Sequence, residues 1–450
     1  MIRTGLDVVR LNFSHGSHSE HEKSLEAIGK AVRKTGKEVS ILADLCGPKI
    51  RTGDIPVPFE IKGGEKLVIT TREVTGCREI ISTNYSHLHQ DAKPGDRILI
   101  DDGLIQLSVD SIEGEELHCR VIDGGIVKSH KGMNLPGIDL KISAVTEKDR
   151  EDLKFILDHV IDYVALSFVR NAADIKTLIE LMEKFGKRIP IVAKMEKPEA
   201  IENMDEIIAL TDMVMVARGD LGVEMPAEQL PPIQKTIIQT CIDANKPVIT
   251  ATQMLDSMIN NPRPTRAEVS DVANAVFDGS DAVMLSGETS VGSYPVEAVR
   301  TMHTIIESAE SHPDMKNRQQ MRAKPMTSDS ENLCRAAVMM AQNANVKALL
   351  TITLHGKTAF LLSKFRPRIP IIAFTESPII LRYLNIVWGV RPFQIDEVFD
   401  TDTTLKYARD LAIDRGFVGS GDKIIYATGI PLLEAKSTNM VKIETIEETR

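Results

Sequence analysis

Short, nearly continuous apolar runs alternate with amphipathic stretches in two parts of the chain, residues 8–51 and 145–313. Such runs are typical of parallel strands that helices bury on both faces. Stretches such as Glu20–Arg33, Glu147–His159 and Asp174–Phe185 predict covering helices, and Thr146 is a suitable N-cap for the second. The pattern predicts seven strands, at Val8–Ser14, Val39–Asp44, Tyr163–Val169, Ile189–Glu196, Met213–Asp220, Pro247–Gln253 and Asp281–Glu288.

Two further regions have different patterns. Between residues 52 and 137, segments such as Lys66–Thr70, Arg97–Ile100 and Leu104–Val109 alternate with Gly, Pro and Asp turns, which predicts a small all-β insertion. Polar residues 315–330 predict a linker. From about residue 330 to residue 450 a second βα alternation predicts an open α/β domain. Its strands are expected at Lys347–Thr353, Pro370–Phe374, Gly389–Phe393 and Lys423–Ala427.

The composition excludes several classes of protein. With 42% apolar residues the chain can bury a large core. The net charge is −10 and both signs are interspersed, which argues against a nucleic-acid-binding protein but leaves room for a local anion site. No run approaches the roughly 18 apolar residues of a membrane span, and the N-terminus does not resemble a signal segment. Five widely spaced cysteines without a CxxC pair favour reduced thiols and a cytoplasmic location.

Polar and charged residues close nearly every predicted strand of the first region. In a (β/α)8 barrel the carboxyl ends of the strands form one rim, so these side chains would converge on one site. The alternative is that polar residues merely mark where each strand leaves the core, but so many polar ends with both signs of charge favour a site. They are Arg10, Asn12, Ser14, Asp44, Ser167, Lys194, Glu196, Arg218, Asp220, Thr252, Ser286 and Glu288.

Lys194 and Glu196 are two residues apart on one predicted strand, so their side chains face the same side. Glu196 and Asp220 close successive strands and can share a divalent cation such as Mg²⁺, with waters completing its shell. The alternative is two unrelated salt bridges, to Lys194 or Arg218. Arg10 offers a bidentate fork for a phosphate or carboxylate. Together these groups favour phosphoryl transfer or enolate chemistry.

Three other clusters are weaker. Gly356-Lys357-Thr358 resembles the end of a P-loop, but Thr351 stands where the motif needs glycine. A loop that enters a helix can still bind an anion through its free N–H groups. The three histidines His15, His18 and His21 fit a solvated loop and helix start better than a metal site. The adjacent acids Asp101 and Asp102 are expected in a turn, with a contact made by a lid as the alternative.

Seven motifs of the chain resemble those of the pyruvate kinase family and occur in the family's order. Any one of them alone is unspecific, but together they are highly specific. They are RLNFSHG at Arg10–Gly16, DLCGPKIRTG at Asp44–Gly53, KGMNLPG at Lys131–Gly137, KME at Lys194–Glu196, ARGDLG at Ala217–Gly222, ATQM at Ala251–Met254 and MLSGET at Met284–Thr289.

The resemblance implies an α/β fold of three domains. A (β/α)8 TIM barrel, the catalytic A domain, would comprise residues 1–52 and 138–313. A small all-β lid, the B domain, would be inserted at residues 53–137, and an effector-binding open α/β domain would follow at 330–450. The implied reaction is phosphoryl transfer from phosphoenolpyruvate to ADP, giving pyruvate and ATP in the last step of glycolysis. The resemblance also implies a homotetramer.

The resemblance implies roles for the residues that handle the substrate. Arg10 would hold the phosphate of phosphoenolpyruvate. Lys194 would neutralise charge on the phosphoryl group in transfer and on the departing enolate oxygen. The amide of Gly219 and the hydroxyl of Thr252 would hold the carboxylate region. Thr252 and Ser286, through water, would deliver the proton that converts enolpyruvate to pyruvate.

Metal and nucleotide sites are implied in the same way. Glu196 and Asp220 would ligate Mg²⁺ or Mn²⁺, which also meets the enolate and carboxylate oxygens of the substrate. The side chains implied on the nucleotide side come from the first strand end, the second motif and the lid. They are Asn12, Phe13, Ser14, His15, Arg51 and Lys131.

The start of the chain departs from the family pattern. Family members carry a further strand and helix ahead of the stretch that resembles Thr4–Gly16, so the first barrel strand and helix are missing here. A barrel short of one strand exposes two sheet edges. We therefore expect that the natural protein begins upstream of Met1, and that a protein expressed from Met1 is unstable.

A second departure concerns potassium. Potassium-dependent members bind the ion with groups that match Asn12, Ser14 and Asp44, together with a threonine where Leu45 stands, and they carry glutamate where Lys49 stands. A lysine ammonium is a compact monovalent cation that can replace potassium near the transferred phosphoryl group. The alternative is a solvated surface lysine. We expect no potassium requirement.

The C-terminal domain departs as well. The loop containing Thr353, His355, Gly356, Lys357 and Thr358 matches the family's effector loop only in outline. The final loop at 429–436 lacks the Arg-Pro-Gly pattern of members that fructose bisphosphate activates. A phosphorylated effector such as a nucleoside monophosphate or another sugar phosphate is therefore expected, and the absence of regulation is the alternative.

Two other functions stay open at this level. Another Mg²⁺-dependent barrel that handles phosphoenolpyruvate or pyruvate would use Glu196 and Asp220 but would not need a nucleotide lid, so the insertion and Lys131 argue against it. A truncated, catalytically impaired paralogue could act as a regulatory or binding subunit. The missing first strand favours that hypothesis, and the presence of Lys194 and Thr252 argues against it.

Overall fold

The computed structural model describes residues 1–138, 140–312, 328–397, 399–432, 434 and 436–447. The predicted linker at 315–330 lies almost entirely outside the described residues.

In the first barrel segment, Ser17 caps the helix that begins at His18, and the Ser17 N–H donates to the Glu20 carboxylate at 2.7 Å. The elements of this segment are strand β1 (Val8–Asn12), helix α1 (His18–Thr35) and strand β2 (Ser40–Asp44), after a short 3-10 helix at Ile2–Thr4.

The insertion is a β unit with one short helix, and its strand pairs are antiparallel except for the parallel pair of β4 and β5. Its larger sheet has the order β10-β6-β7-β8-β4-β5, and β3 pairs with β9. Alternate residues of β7 face the core, as the sequence pattern predicts. The elements are β3 (Phe59–Ile61), β4 (Lys66–Thr70), β5 (Ile80–Ser82), α2 (Leu88–Asp91), β6 (Arg97–Ile100), β7 (Ile105–Glu113), β8 (Glu116–Asp123), β9 (Gly125–Val127) and β10 (Met133–Asn134).

The second barrel segment completes a seven-stranded parallel sheet of order β1-β2-β11-β12-β13-β14-β15. Thr146 caps α3 as predicted, because its hydroxyl accepts from the N–H of Asp149. The elements are α3 (Glu147–Asp158), β11 (Tyr163–Leu166), α4 (Ala172–Lys184), β12 (Ile191–Met195), α5 (Pro198–Glu202), α6 (Met204–Leu210), β13 (Met213–Ala217), α7 (Arg218–Glu224), α8 (Leu230–Ala244), β14 (Val248–Ala251), α9 (Arg266–Asp278), β15 (Ala282–Val283), α10 (Gly287–Ser290) and α11 (Pro295–Ser311), with 3-10 helices at Ala227–Gln229 and Asp256–Ile259.

All seven predicted strands of the first region are present. Six of them end earlier than predicted, whereas β2 ends at Asp44 as predicted. The prediction that Asp220 closes a strand is wrong, since β13 stops at Ala217 and Asp220 lies in the first turn of α7. Glu288 likewise lies on α10 rather than on β15. A strand that passes the rim of the sheet loses its pairing partners, and helical hydrogen bonds within the chain then satisfy its backbone groups.

The C-terminal domain is a five-stranded sheet of order β18-β17-β16-β19-β20. All four predicted strands are present. The antiparallel edge strand β20 was missed because none of its residues is buried and it has no continuous apolar run. The elements are α12 (Asp329–Asn343), β16 (Val346–Ile352), α13 (Lys357–Lys364), β17 (Ile371–Thr375), α14 (Pro378–Leu384), β18 (Val390–Gln394), α15 (Thr401–Asp414), β19 (Lys423–Thr428) and β20 (Met440–Thr445).

Buried carboxylates join this domain to the amino end of the barrel sheet. Asp162 accepts the N–H of Ile41 at 2.8 Å and the guanidinium of Arg382 at 2.5 Å. The start of β11 is thereby tied both to β2 and to the C-terminal domain, which leaves the opposite, carboxyl rim for a site. Within the described ranges, no helix is both long and apolar enough to span a membrane.

Candidate active site

Arg10 and Asp44 face each other at the ends of β1 and β2, which pair in register. The Arg10 Nε donates to Asp44 Oδ2 at 2.7 Å, and its Nη2 lies 2.6 Å from the same oxygen. Burial would raise the pKa of Asp44, but Lys194 and Arg10 outweigh burial and lower it. Asp44 is therefore an ionised carboxylate that holds one side of the Arg10 fork.

Lys194 projects from β12 into a cage of oxygens. Its Nζ lies 2.7 Å from Glu196 Oε1, 2.7 Å from Ser167 Oγ and 3.3 Å from Asp44 Oδ1. Burial lowers the pKa of Lys194, but Asp44 and Glu196 more than compensate and raise it above its ordinary value. The predicted convergence of Lys194 and Glu196 on one face is confirmed, and the ammonium group carries a full charge there.

Glu196 is almost completely buried, and its carboxylate is only partly neutralised. Burial raises the pKa of Glu196, Lys194 lowers it, and the nearby Asp220 raises it. The net result is a pKa of about 7. One oxygen accepts the N–H of Phe168 at 2.8 Å. Phe168 makes that bond from a left-handed backbone conformation, with a φ of 56°, which is strained for a bulky residue.

The pair of Glu196 and Asp220 fits a divalent cation. Glu196 Oε1 is buried and accepts no well-aligned hydrogen bond, although it faces Lys194. The described residues contain no cluster of three or more His, Cys, Asp or Glu side chains able to hold a metal. Two hard oxygen ligands from the protein suit Mg²⁺, which usually keeps waters and substrate oxygens in its shell.

Arg218 and Thr252 shape the next part of the rim. The Gly219 N–H donates to Thr252 Oγ1 at 2.8 Å, and this hydroxyl donates in turn to the carbonyl of Ala251 at 2.7 Å. Thr252 has a φ of 68°, so it too is held in a strained conformation. Arg218 braces this loop from behind, with Nη2 at 2.7 Å from the Thr252 carbonyl and Nη1 at 2.7 Å from Asp271 Oδ2. The salt-bridge alternative offered Arg218 as a partner of Asp220. Arg218 instead pairs with Asp271.

Ser286 and Glu288 lie at the neighbouring position of the rim. The Ser286 N–H donates to Glu288 Oε2 at 2.7 Å, and the N–H of Leu255 donates to Glu288 Oε1 at 3.0 Å. Glu288 is buried, so it joins two loops instead of facing the site as expected. Its bonds place Ser286 beside the loop that follows Thr252.

The segment after β1 contains the residues expected on the nucleotide side. Asn12 Oδ1 accepts the N–H of Ser14 at 3.1 Å, which folds the chain into a turn, and His15 is exposed. The ring of Phe13, however, is buried and stacks on His21 at 4.2 Å between centroids. The side chain of Phe13 therefore belongs to the core. Its carbonyl accepts from Lys148 Nζ at 2.7 Å.

The lid contributes the remaining residues. Arg51 Nη1 donates to the carbonyl of His130 at 2.9 Å, and Lys131 Nζ lies 2.8 Å from Asp101 Oδ1. Asp101 and Asp102 occupy a turn, as expected, and both have a positive φ. Arg51 and Lys131 thus lie on adjacent segments where the chain enters and leaves the lid.

A narrow cleft, partly open to solvent, lies between the lid and the carboxyl rim. Its lining includes Lys49 and Phe168 from the barrel side, Asp102 from the lid, and Asp220. Lys49 is exposed, whereas Leu45, four residues earlier, is 1% exposed and cannot offer a side-chain ligand. Within the described residues, the predicted lid and the predicted metal ligand therefore line one cavity.

In the predicted effector loop, two of the polar side chains are buried and bonded within the protein rather than exposed to a ligand. The hydroxyl of Thr353 accepts the N–H of Gly356 at 2.9 Å, and the hydroxyl of Thr358 lies 2.8 Å from that of Thr438. Both threonines are buried, while His355 and Lys357 are exposed. The threonines therefore hold the loop, which leaves His355, Lys357 and the start of α13 for a ligand.

The three-histidine cluster resolves into separate contacts. His18 Nε2 lies 2.8 Å from Asp152 Oδ1 and its ring stacks on Phe155 at 4.5 Å, while His21 stacks on Phe13. These contacts join α1 to α3 and to the core. The expectation of a solvated position is therefore wrong for His21, which is buried against Phe13.

Sequence reasoning missed the part that Ser167 plays. Ser167 closes β11 and was noted only as one polar strand end among many, yet its Oγ touches Lys194 and donates to the Leu45 carbonyl at 2.8 Å. The only feature of the sequence that pointed to Ser167 was its place at the end of a predicted strand. Asp44 was expected near a monovalent cation, and the contacts with Arg10 and Lys194 appear only in the structure.

Comparison with known proteins places these observations in a family. The chain matches the family described as pyruvate kinase, barrel domain, over residues 1–299, and pyruvate kinase, alpha/beta domain, over residues 331–444. A pyruvate kinase of Geobacillus stearothermophilus is 46% identical over 455 residues, which cover 100% of this chain and 77% of the relative. One of Mycobacterium intracellulare is 43% identical over 453 residues, covering 100% and 94%. A crystal structure of a pyruvate kinase from Cryptosporidium parvum has a TM-score of 0.93 and 38% identity, covering 99% of this chain and 92% of the other.

Proposed function

The chain belongs to the pyruvate kinase family, whose members are phosphotransferases of glycolysis, and we propose that the side chains on its carboxyl rim transfer the phosphoryl group of phosphoenolpyruvate to ADP. The observation that carries this proposal is the ammonium group of Lys194, held among Ser167, Asp44 and Glu196. A fixed cation in a nearly water-free site stabilises charge that develops during phosphoryl transfer.

Arg10 and Lys194 bind the substrate from two sides. Arg10 keeps part of its guanidinium for the phosphate, since Asp44 engages Nε and Nη2. Lys194 donates toward the transferring group and then toward the enolate oxygen as the bond to phosphorus breaks. Because its pKa is raised, Lys194 stays charged and acts as an electrostatic group rather than as a proton donor.

Glu196 and Asp220 hold the divalent cation, Mg²⁺ or Mn²⁺. When bound, the cation supplies Lewis-acid stabilisation to the enolate and carboxylate oxygens of the substrate. The chain contributes two carboxylates from different segments, one directly after β12 and one on α7, and the Phe168 N–H fixes the orientation of Glu196. The amide of Gly219 and the hydroxyl of Thr252 are proposed to face the carboxylate end of the substrate, where the Gly219 N–H exchanges Thr252 Oγ1 for a carboxylate oxygen.

Thr252 and Ser286 deliver the proton that completes the reaction. The enolate accepts a proton at its methylene carbon, and the carbonyl of pyruvate forms. The Thr252 hydroxyl donates to the Ala251 carbonyl, so it acts as an acceptor that holds an ordered water beside Ser286, and that water gives its proton to the enolate and is reprotonated through Ser286 from solvent.

The nucleotide occupies the cavity between the lid and the rim. Asn12, Ser14 and His15 approach it from β1, while Arg51 and Lys131 supply positive charge where the lid joins the barrel. We propose that Phe13 contributes only its backbone to the nucleotide site, because its ring is buried.

Lys49 replaces a monovalent cation in this proposal. It lines the cavity that Asp220 also lines, and the neighbouring Leu45 lacks a side-chain oxygen. The groups Asn12, Ser14 and Asp44 that match potassium ligands are present, but Asp44 already carries two cationic partners. A potassium ion is therefore dispensable.

Several finer predictions accompany the assignment. We keep as predictions the (β/α)8 form of the barrel at 1–52 and 138–313, the lid at 53–137 and the effector domain at 330–450. A homotetramer, a cytoplasmic location and a phosphorylated effector stay predictions.

The assignment of the site is tested by turnover and metal binding together. The purified chain is incubated with phosphoenolpyruvate, ADP and Mg²⁺, and pyruvate is followed. We expect pyruvate formation by the unmodified chain and loss of both Mn²⁺ binding and turnover in Glu196→Gln. Glu199→Gln, a change on the neighbouring helix α5, serves as the control. Wild-type Mn²⁺ affinity in Glu196→Gln would refute the metal site.

A further inference from the structure

Glu224 lies where three parts of the proposed site meet. It ends α7, the helix whose first turn carries Asp220. Its Oε1 accepts from Lys197 Nζ at 2.6 Å, and Lys197 directly follows Glu196. The same oxygen accepts from Nδ2 of Asn134, on lid strand β10, at 2.9 Å. One buried carboxylate therefore connects the lid to both elements that carry the proposed metal ligands.

The burial of this contact distinguishes it from a surface ion pair. The side chains of Lys197 and Glu224 are 9% and 1% exposed. Both donors bind Oε1, whereas Oε2 is buried and has no hydrogen-bond partner among the described residues. The ammonium and the amide are therefore the contacts that compensate the buried charge and hold the carboxylate in one position. An exposed pair would give no such restraint.

Asn134 is also well placed to control the lid. Asn134 and Met133 pair with Leu99 and Ile100 of the lid sheet, and the Met133 N–H donates to the carbonyl of Ile50 at 2.9 Å. Lys131, proposed to contact the nucleotide, lies three residues earlier on the same segment. A fixed Asn134 therefore restricts where Lys131 can lie relative to the rim.

We propose that Glu224 is a positioning residue that sets the distance between the lid and the metal-binding carboxylates through Asn134. The inference rests on the proposed roles of Glu196, Asp220 and Lys131. Glu224 touches neither the nucleotide nor the metal, and its effect reaches ADP through Lys131.

Asn134→Ala tests the inference with the least disturbance, because it leaves the Lys197–Glu224 pair intact. Loss of one hydrogen bond to a charged group corresponds to about a tenfold change. We expect the KM for ADP to rise about tenfold, with kcat and the KM for phosphoenolpyruvate unchanged within about twofold. Amide hydrogen exchange of residues 131–135 should quicken about tenfold in the full chain. Asn134→Gln, which keeps an amide donor, should restore much of both.

Arg120→Ala is the matched control, since Arg120 pairs with Asp110 inside the lid sheet. It should change neither readout. A wild-type KM for ADP in Asn134→Ala would overturn the positioning role even if exchange quickened, because the contact would then be purely structural. A raised KM without faster exchange would overturn it as well, since Asn134 would then contact the nucleotide directly.

Mn²⁺ binding separates this inference from the proposed site. Asn134→Ala should bind Mn²⁺ like the unmodified chain in an electron paramagnetic resonance titration, and Glu196→Gln should not. If Glu196→Gln loses Mn²⁺ while Asn134→Ala keeps a wild-type KM for ADP, only the positioning role fails. If Glu196→Gln retains Mn²⁺, the proposed metal site itself fails.

Discussion

The hydroxyl oxygen of Ser167 lies 2.7 Å from the ammonium nitrogen of Lys194, and the same hydroxyl donates to the carbonyl of Leu45 at 2.8 Å. The hydroxyl thus accepts from the lysine while its proton points away from it. Ser167 thereby directs one N–H of Lys194, while Glu196 and the more distant Asp44 face the other two.

Ser167→Ala should lower kcat about tenfold, because Lys194 loses one of the contacts that orient it and a hydrogen bond to a charged group is removed. The KM for ADP should be unaffected. Ser330→Ala removes a comparable bond, to the Thr438 carbonyl at 3.0 Å, in the C-terminal domain and serves as the control. Equal kcat values for the two variants would exclude an orienting role for Ser167.

Lys194→Met should reduce turnover by orders of magnitude, since a charge contact made in the transition state is worth about 3–4 kcal/mol. Circular dichroism should show an intact fold, and Mn²⁺ should still bind. Lys187→Met, which loses only a bond to the Leu157 carbonyl, is the control. A Lys194→Met enzyme within about tenfold of the unmodified one would refute the assignment.

Activity should be complete in sodium or tetramethylammonium buffers without potassium, because the Lys49 ammonium replaces the ion. Lys49→Glu, alone or with Leu45→Thr, should create a potassium requirement, since the added negative charge needs a cation. Lys49→Met removes the charge of the side chain but keeps a similar length, so it tests whether the charge of Lys49 is what replaces potassium. Strong activation of the unmodified enzyme by potassium would contradict the role of Lys49.

Glu268 should stabilise the fold in a pH-dependent way. Its carboxylate accepts from the N–H of Ser257 at 2.7 Å, the hydroxyl of Ser257 at 2.6 Å and the N–H of Thr265 at 2.6 Å. Burial would raise the pKa of Glu268, but these donors outweigh burial and lower it below its ordinary value of 4.5. Its ionised form therefore stabilises the fold above pH 4.5, and that contribution is lost as the pH falls through the lowered pKa.

Glu268→Gln should accordingly reduce the free energy of unfolding by about 1 kcal/mol at pH 7, and the difference should shrink at acid pH. Urea denaturation from pH 7 downward measures it. Glu297→Gln, in the first turn of α11 and paired only weakly with Arg300 at 3.9 Å, should show little change. A difference for Glu268→Gln that is independent of pH would show that ionisation plays no part.

A phosphorylated ligand should act through the start of α13. Nucleoside monophosphates and sugar phosphates other than fructose bisphosphate are titrated at subsaturating phosphoenolpyruvate, and one of them should shift the half-saturating concentration. Lys357→Ala should abolish that shift, because Lys357 and the free N–H groups of the helix start supply the anion contacts. Lys347→Ala, an exposed lysine on β16, should leave it intact. Unchanged curves with every ligand would contradict an effector site.

The sequence by itself determined the layers of the protein and the main chemical groups. Apolar runs predicted the seven barrel strands, and strict alternation predicted the all-β insertion, because burial of a strand on one or both faces leaves a local pattern. The two-residue repeat of a strand also placed Lys194 and Glu196 on one side. These features depend on neighbours along the chain, so they can be read without the fold.

Contacts between distant elements were decided only by the tertiary structure. Asp220 lies on a helix rather than on a strand, and Arg218 pairs with Asp271 instead of with Asp220. Ser167 reaches Lys194, and Asn134 of the lid reaches Glu224 of the barrel. Strand register, the helix that begins at a strand end and the docking of the lid determine which polar groups are buried together. A buried charge is costly unless it is paired, so each of these groups lies against a specific partner. The partner comes from a distant part of the chain, and no local pattern in the sequence predicts it.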